Sequence, residues 1–196
     1  MTHRFTLLDP AGFRESPWKN GGGVTLDIAE SGEGSSPGSW DGLIWRFGRT
    51  VIAVPGPFSD LAGFERRQMV VRGRGLVLET PDGEIDERRP FSPVCFQGET
   101  QIQSRLEAGA VDVVNLMGNR RRTRIDLQVL EFKSERRLLA GIHILYAADE
   151  PCALDFGKSK VRHDLGQGHA VRVDTDGTIA VSILAGRMIL ASVFLV

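Results

Sequence analysis

Metal-ligand spacing is missing from this sequence. Its four histidines, His3, His143, His163 and His169, form neither an H-x-H pair nor an H-E-x-x-H motif. His163 and His169, five residues apart in between, are too loosely spaced to act as one. His143 alternates with Ile142 and Ile144 and reads as a satisfied structural histidine. No GxxxxGK[ST] loop cradles a phosphate and no GxSxG elbow presents a serine. Nothing marks a Ser/His/Asp triad, so the sequence supplies no nucleophile signature. The two cysteines, Cys95 and Cys152, make neither a CxxC motif nor a disulfide framework, and both are expected to be buried free thiols in a reducing compartment.

An excess of one charge is also absent. Lys plus Arg is 24 against 25 for Asp plus Glu, a formal net charge of -1. That balance removes the electrostatic reason to expect nucleic acid as a partner. Arg120-Arg121-Arg122-Thr123-Arg124 is the exception, and without interleaved aromatics it reads as a solvated turn or a site for one anionic group. The N-terminal Met1-Thr2-His3-Arg4-Phe5 has no apolar signal-peptide core and no N-x-[ST] acceptor occurs, so a cytoplasmic chain is expected. No membrane partner is expected either. Residues 179–196 are apolar but are interrupted by Gly186-Arg187, and the runs Ile179-Leu184 and Met188-Val196 read as a buried hairpin.

Helix periodicity hardly appears; what recurs is the strand pattern. Val24, Leu26 and Ile28 share a face at period 2, and Trp45 and Phe47 oppose Arg46 along Leu43–Phe47. Along Val111–Met117, Val111, Val113, Asn115 and Met117 share one face. Asp9-Pro10-Ala11-Gly12, Pro55-Gly56-Pro57, Pro81-Asp82-Gly83 and Asp174-Thr175-Asp176-Gly177 punctuate the strands as turns. With 41% hydrophobic and 25% charged residues, the composition is that of a soluble globular protein. Many short strands at regular spacing predict an all-β antiparallel sandwich or barrel. The polar stretch 118–124 reads as a seam between two halves, 1–118 and 119–196, the second restarting the same rhythm.

The polar residues that stand out are binding groups. Pro17-Trp18-Lys19-Asn20-Gly21-Gly22-Gly23 sets an aromatic, a cation and a carboxamide before three glycines. Trp18 offers a flat apolar wall, and Gly21 and Gly22 allow either a sharp turn or close approach of backbone to ligand. Lys19, Arg46 and Arg66 are cations suited to a carboxylate, a surface salt bridge with Asp or Glu being the alternative for each Arg. Asn20 and Asn115 each offer a donor and an acceptor. An Asn on a valine-rich strand face needs partners, either backbone or ligand.

The motif P-W-K-N-G-G-G at 17–23, followed in order by Trp45-Arg46, Gly56-Pro57-Phe58-Ser59 and Asn115-Leu116-Met117, resembles the HutD/Ves family. The resemblance covers about the first 120 residues. The chain departs from the family pattern at Leu61-Ala62-Gly63-Phe64-Glu65-Arg66, where F-P-G-x-D-R is usual. It departs again at Thr25-Leu26-Asp27, where the family has T-R-E. The resemblance implies a bicupin of the RmlC-like jelly-roll type, with two antiparallel units in one chain. It also implies a place in histidine utilisation or a stress response. The function it implies is a small-molecule sensor whose ligand is a small carboxylate such as N-formylglutamate, bound without metal or other cofactor. Two other readings stand beside it: a metal-free isomerase or hydrolase using Glu65 or Asp112 as acid/base, and an interaction protein with a vestigial cavity. The oligomeric state is open, a homodimer being one option.

Overall fold

A computed structural model of the chain describes residues 1–17, 24–33, 40–157 and 161–196, and contains no α-helix among them. Alternating apolar and polar residues broken by Gly, Pro and Asp turns leave no stretch that buries a helical stripe. The strands, numbered β1 to β18 in chain order, separate into two compact units, Arg14–Ile125 with Val196, and Met1–Phe13 with Asp126–Leu195.

The unit Arg14–Ile125 is built on a six-stranded antiparallel sheet. Its strand order is β2 (Arg14–Pro17), β3 (Val24–Gly32), β4 (Leu43–Ile52), β10 (Val111–Asn119), β5 (Phe64–Arg72) and β8 (Val94–Gln97). A three-stranded sheet accompanies it, with β6 (Leu76–Thr80) between β7 (Gly83–Glu87) and β9 (Gln103–Leu106). Both sheets feed one apolar cluster: Ile52, Val70, Val111 and Val113 from the larger, Leu76 and Leu78 from the smaller. A second cluster of Leu43, Leu61, Phe64 and Met117, with Trp40 against it, fills another part of the unit.

The other unit has a five-stranded and a four-stranded sheet. In the first, β1 (His3–Leu8), β16 (Ala170–Thr175), β13 (Gly141–Tyr146), β18 (Met188–Leu195) and β11 (Thr123–Leu130) follow one another. In the second, the order is β12 (Glu135–Leu138), β17 (Ile179–Ala185), β14 (Cys152–Phe156) and β15 (Val161–Leu165). Leu145, Val171 and Leu190 from one sheet meet Leu154, Phe156 and Val181 from the other in a single core. His143 is buried, its Nδ1 2.9 Å from Ser192 Oγ and its Nε2 2.8 Å from the Leu139 carbonyl, so both ring nitrogens are satisfied.

Three local expectations meet a different outcome. The units do not coincide with a cut between 118 and 119: the first thirteen residues belong with Asp126–Leu195. The reason is pairing at long range, His3 opposite Thr175 through Leu8 opposite Ala170, with the Phe5 ring 4.7 Å from that of Phe156. The apolar runs before and after Gly186-Arg187 are strands, but they do not form a hairpin with each other. β17 pairs with β12 and β14, while β18 pairs with β13, so the short link carries the chain from one sheet to the other. Gly186 serves that link with φ +74° and backbone packed against Pro151 and Cys152. Cys152 is buried, but Cys95 is exposed, because β8 is the edge strand of its sheet and Cys95 alternates outward beside the inward Phe96. No helix among the described residues is long and apolar enough to cross a membrane.

Candidate functional site

Within the unit Arg14–Ile125 a cavity of about 380 Å³ opens on one face of the six-stranded sheet, a volume suited to a small metabolite. Strand register builds its floor. Met117 on β10 stands between Arg46 on β4 and Arg66 on β5, and Asn115 stands between Gly48 and Gln68. Val113 stands opposite Thr50. Because side chains alternate along a strand, residues two apart on each of three neighbouring strands converge on the same face. Gly48 keeps the middle of that floor low: a Cβ there would lie 2.9 Å from Thr25 Cγ2 and 3.0 Å from the Leu26 carbonyl oxygen. Phe58, Ser59, Asp60 and Leu61 from the segment after β4, and Trp40 before it, supply walls.

The two floor arginines differ in their partners. Arg46 Nε donates to Asp27 Oδ1 at 2.5 Å, its Nη2 pairs with the same oxygen, and its guanidinium carbon lies 5.3 Å from the Trp40 ring centroid. Asp27 also accepts from Arg14 Nη2 at 3.0 Å and Ser16 Oγ at 2.7 Å. A β-bulge in β3 at this point breaks the alternation, so that Asp27 and Ile28 are both buried. Arg66, by contrast, has no carboxylate within ion-pair distance among the described residues, and its Nε has no hydrogen-bond partner among them. Its guanidinium carbon sits 5.0 Å from the centroids of both Phe58 and Phe96. Burial pushes its pKa down to about 10, with the charge of Glu87 acting the other way, so it stays cationic at neutral pH.

Behind the floor runs a chain of hydrogen bonds. Asn115 Nδ2 donates to Gln68 Oε1 at 3.0 Å, and Gln68 Nε2 donates to Glu87 Oε2 at 2.8 Å. Glu87 is completely buried at the end of β7, opposite Leu76. Burial raises its pKa to about 7, against the hydrogen bond from Gln68 and the charge of Arg66. Asn115 Oδ1 and Glu87 Oε1 are buried without a hydrogen-bond partner among the described residues.

Of the residues singled out in the sequence, Arg46, Arg66 and Asn115 line this one cavity. Trp18, Lys19, Asn20, Gly21 and Gly22 lie outside the described residues. The acid/base candidates are engaged elsewhere: Glu65 pairs with Arg67, and Asp112 pairs with Arg49 and Arg72; neither lines the cavity. The basic turn is a surface feature, Arg120 pairing with Glu99 and Arg122 with Glu33. Sequence reading missed Asp27, Gln68 and Glu87. For Gln68 a signal existed: it follows Arg66 by two on the same strand and shares its face. For Asp27 the signal was the acid that it keeps at the third position of the family's T-R-E. Glu87 had none, standing in the acidic stretch Gly83–Glu87, which reads as surface.

The bicupin that the sequence motifs resemble raises the question of a metal. Among the described residues, the cavity's polar groups are two guanidinium groups, carboxamides and hydroxyls, with Asp60. No group of three or more His, Cys, Asp or Glu side chains among the described residues is placed to hold an ion. These described groups, guanidinium and carboxamide donors above all, suit an anion better than a divalent metal.

A model of the HutD family matches residues 11–191. The chain is 31% identical over 185 residues to a Pseudomonas putida protein described as an uncharacterized 21.2 kDa protein in the hutC 3′ region, covering 94% of each. The crystal structure of PA5104, a conserved protein of unknown function from Pseudomonas aeruginosa PAO1, superposes with a TM-score of 0.85 at 25% identity, covering 98% of both chains. HutD from Pseudomonas fluorescens SBW25 superposes with a TM-score of 0.83 at 26% identity, over 98% of this chain and 100% of that one. The Escherichia coli pirin YhhW in complex with nickel(II) shares the fold alone, at a TM-score of 0.64 and 7% identity over 98% and 99% of the two chains. The architecture is thus all-β and cupin-like, and the chain belongs to the HutD family.

Proposed function

We propose that this chain binds a small carboxylate metabolite without a metal, as a sensor rather than a catalyst. The observation that carries the proposal is Arg66: a buried guanidinium without a salt bridge among the described residues, set against two neighbouring phenylalanine rings on the floor of a cavity. Glu87 acts on this cation without a direct salt bridge, and an anionic ligand bonded to the guanidinium offsets the remaining cost of its burial. Arg46 is the lesser anchor, because Asp27 already neutralises it. A relative in the hutC region and the family itself tie the chain to histidine utilisation genes. Within that pathway the ligand is a degradation intermediate that carries a carboxylate, such as N-formylglutamate.

Isothermal titration with glutarate, L-glutamate and N-formyl-L-glutamate tests this reading. At least one binds the parent, and Arg66→Met weakens it about ten- to a hundredfold, the worth of a charge-assisted hydrogen bond in a dry site. Urea unfolding of the same variant, followed in parallel, separates a loss of affinity from a loss of fold. Unchanged affinity in Arg66→Met, or no binding of any of the three acids to the parent, overturns the proposal.

A further inference from the structure

We propose that Glu87 and the ligand's carboxylate share the charge of Arg66, so that filling the cavity draws a proton onto Glu87 and the site holds its anion more tightly as pH falls through neutrality. The inference rests on the reading that Arg66 takes a carboxylate in the cavity, and adds how that binding is regulated.

The geometry sets one cation beside two places for an anion. Arg66 and Gln68 stand two apart on β5, and both line the cavity. Behind them, at the end of β7, Glu87 is completely buried, and its Oε2 accepts from Gln68 Nε2 at 2.8 Å. Arg66 supplies a charge that favours the ionised form of Glu87, without a salt bridge between the two. A carboxylate bonded to Arg66 brings a second negative charge toward Glu87 and cancels much of that support; when two carboxylates share a site, one of them holds its proton more firmly. Burial leaves the repulsion poorly screened. Glu87 can answer it in place. Its Oε2 keeps accepting from Gln68, while Oε1, without a hydrogen-bond partner among the described residues, takes a proton from water. Linkage makes the effect reciprocal: the ligand strengthens the hold of Glu87 on its proton, and the proton strengthens the hold of the cavity on its ligand by the same factor.

The surroundings of Glu87 assign the titration to it. Arg66 and Gln68 act on it from β5, and Leu76 faces it from β6. From β8, Val94 and Phe96 belong to the neighbouring apolar core, while Cys95 and Gln97 are exposed. From β10, Asn115 reaches only as far as Gln68. Asp60, on the wall of the cavity, is an exposed acid. The charged side chains Glu79, Glu84, Asp86, Arg88, Arg105 and Glu107 pair among themselves on partly exposed surface. Residues 14–125 contain no histidine. Arg66, with a pKa of about 10, stays cationic while Glu87, at about 7, changes charge.

Calorimetric titration with N-formyl-L-glutamate, whose carboxyl groups stay ionised between pH 6.0 and 8.5, tests the coupling. The parent binds about tenfold tighter at pH 6.0 than at pH 8.5. At pH 7.5 binding takes up about half a proton, read from the difference in heat between HEPES and Tris buffers. Glu87→Gln, neutral at every pH, binds at pH 8.5 about as tightly as the parent does at pH 6.0, and takes up no proton. A parent affinity that changes less than about twofold with pH, or that rises with pH, overturns the coupling, while binding itself leaves the carboxylate site standing. A pH dependence that Glu87→Gln retains overturns it too. Absence of binding to the parent at both pH values overturns the carboxylate site itself. Should Glu87→Gln not fold, the parent's infrared difference spectrum at pH 7.5 decides: added ligand brings up the C=O stretch of a protonated carboxyl, and a spectrum without that band overturns the coupling.

Discussion

Arg46 and Arg66 flank Met117 from the two strands that border β10, yet only Arg46 has a carboxylate of its own, Asp27. The floor of the cavity thus carries one guanidinium in a salt bridge and one without a salt bridge among the described residues. The first reads as part of the scaffold and the second as the group a ligand completes.

Removing Asp27 tests the scaffold half of that relationship. Asp27→Asn leaves Arg46 buried with only the more distant Glu30 carboxylate, at 3.9 Å, and weakens the bonds from Arg14 and Ser16. Breaking one side of a buried pair costs about 3 kcal/mol. Urea unfolding of the variant against the parent measures it, and a loss below about 1 kcal/mol contradicts the assignment of Asp27 as the counter-charge.

Glu87 makes a prediction about pH and stability that needs no ligand. Its folded pKa of about 7 lies above the ordinary 4.5, so the folded chain keeps a proton that the unfolded chain has lost. The stabilisation from that proton is complete below about pH 4.5 and is lost as pH rises to about 7, roughly 3 kcal/mol in all. Glu87→Gln therefore shows a flatter stability profile than the parent between pH 5 and 8. Comparing the two chains cancels the histidines of the other unit. Identical profiles in urea melts at pH 5, 6, 7 and 8 count against a carboxyl perturbed by burial.

Phe5 tests the long-range placement of the first strand. It is half-buried between Phe156 and His163, with ring centroids at 4.7 and 6.0 Å. Phe5→Ala opens a gap in the core of Asp126–Leu195 and costs about 2 kcal/mol, although it lies far from that segment in sequence. A change under about 0.5 kcal/mol, the scale of a surface substitution, shows that β1 contributes nothing there.

Local chemistry carried much of this protein in its sequence. The period-2 runs and the Gly/Pro/Asp turns specify strands without helices, because each run can bury one face only as a pleated strand. The same alternation turned Arg46 away from Trp45 and Phe47, and set Asn115 on a face with Val113 and Met117; these are the faces that line the cavity. The ordered motifs carried the family. Tertiary structure alone decided which strands meet: β1 with β16, and β17 and β18 with partners other than each other. Pairing between distant segments follows from the packing of the whole sheet, which no local window contains. It alone decided the charge states as well. Asp27, Arg46, Arg66 and Glu87 are ordinary charged residues in the sequence; proximity makes two of them a pair, and burial lowers the pKa of the third and raises the carboxyl of the fourth toward neutral pH.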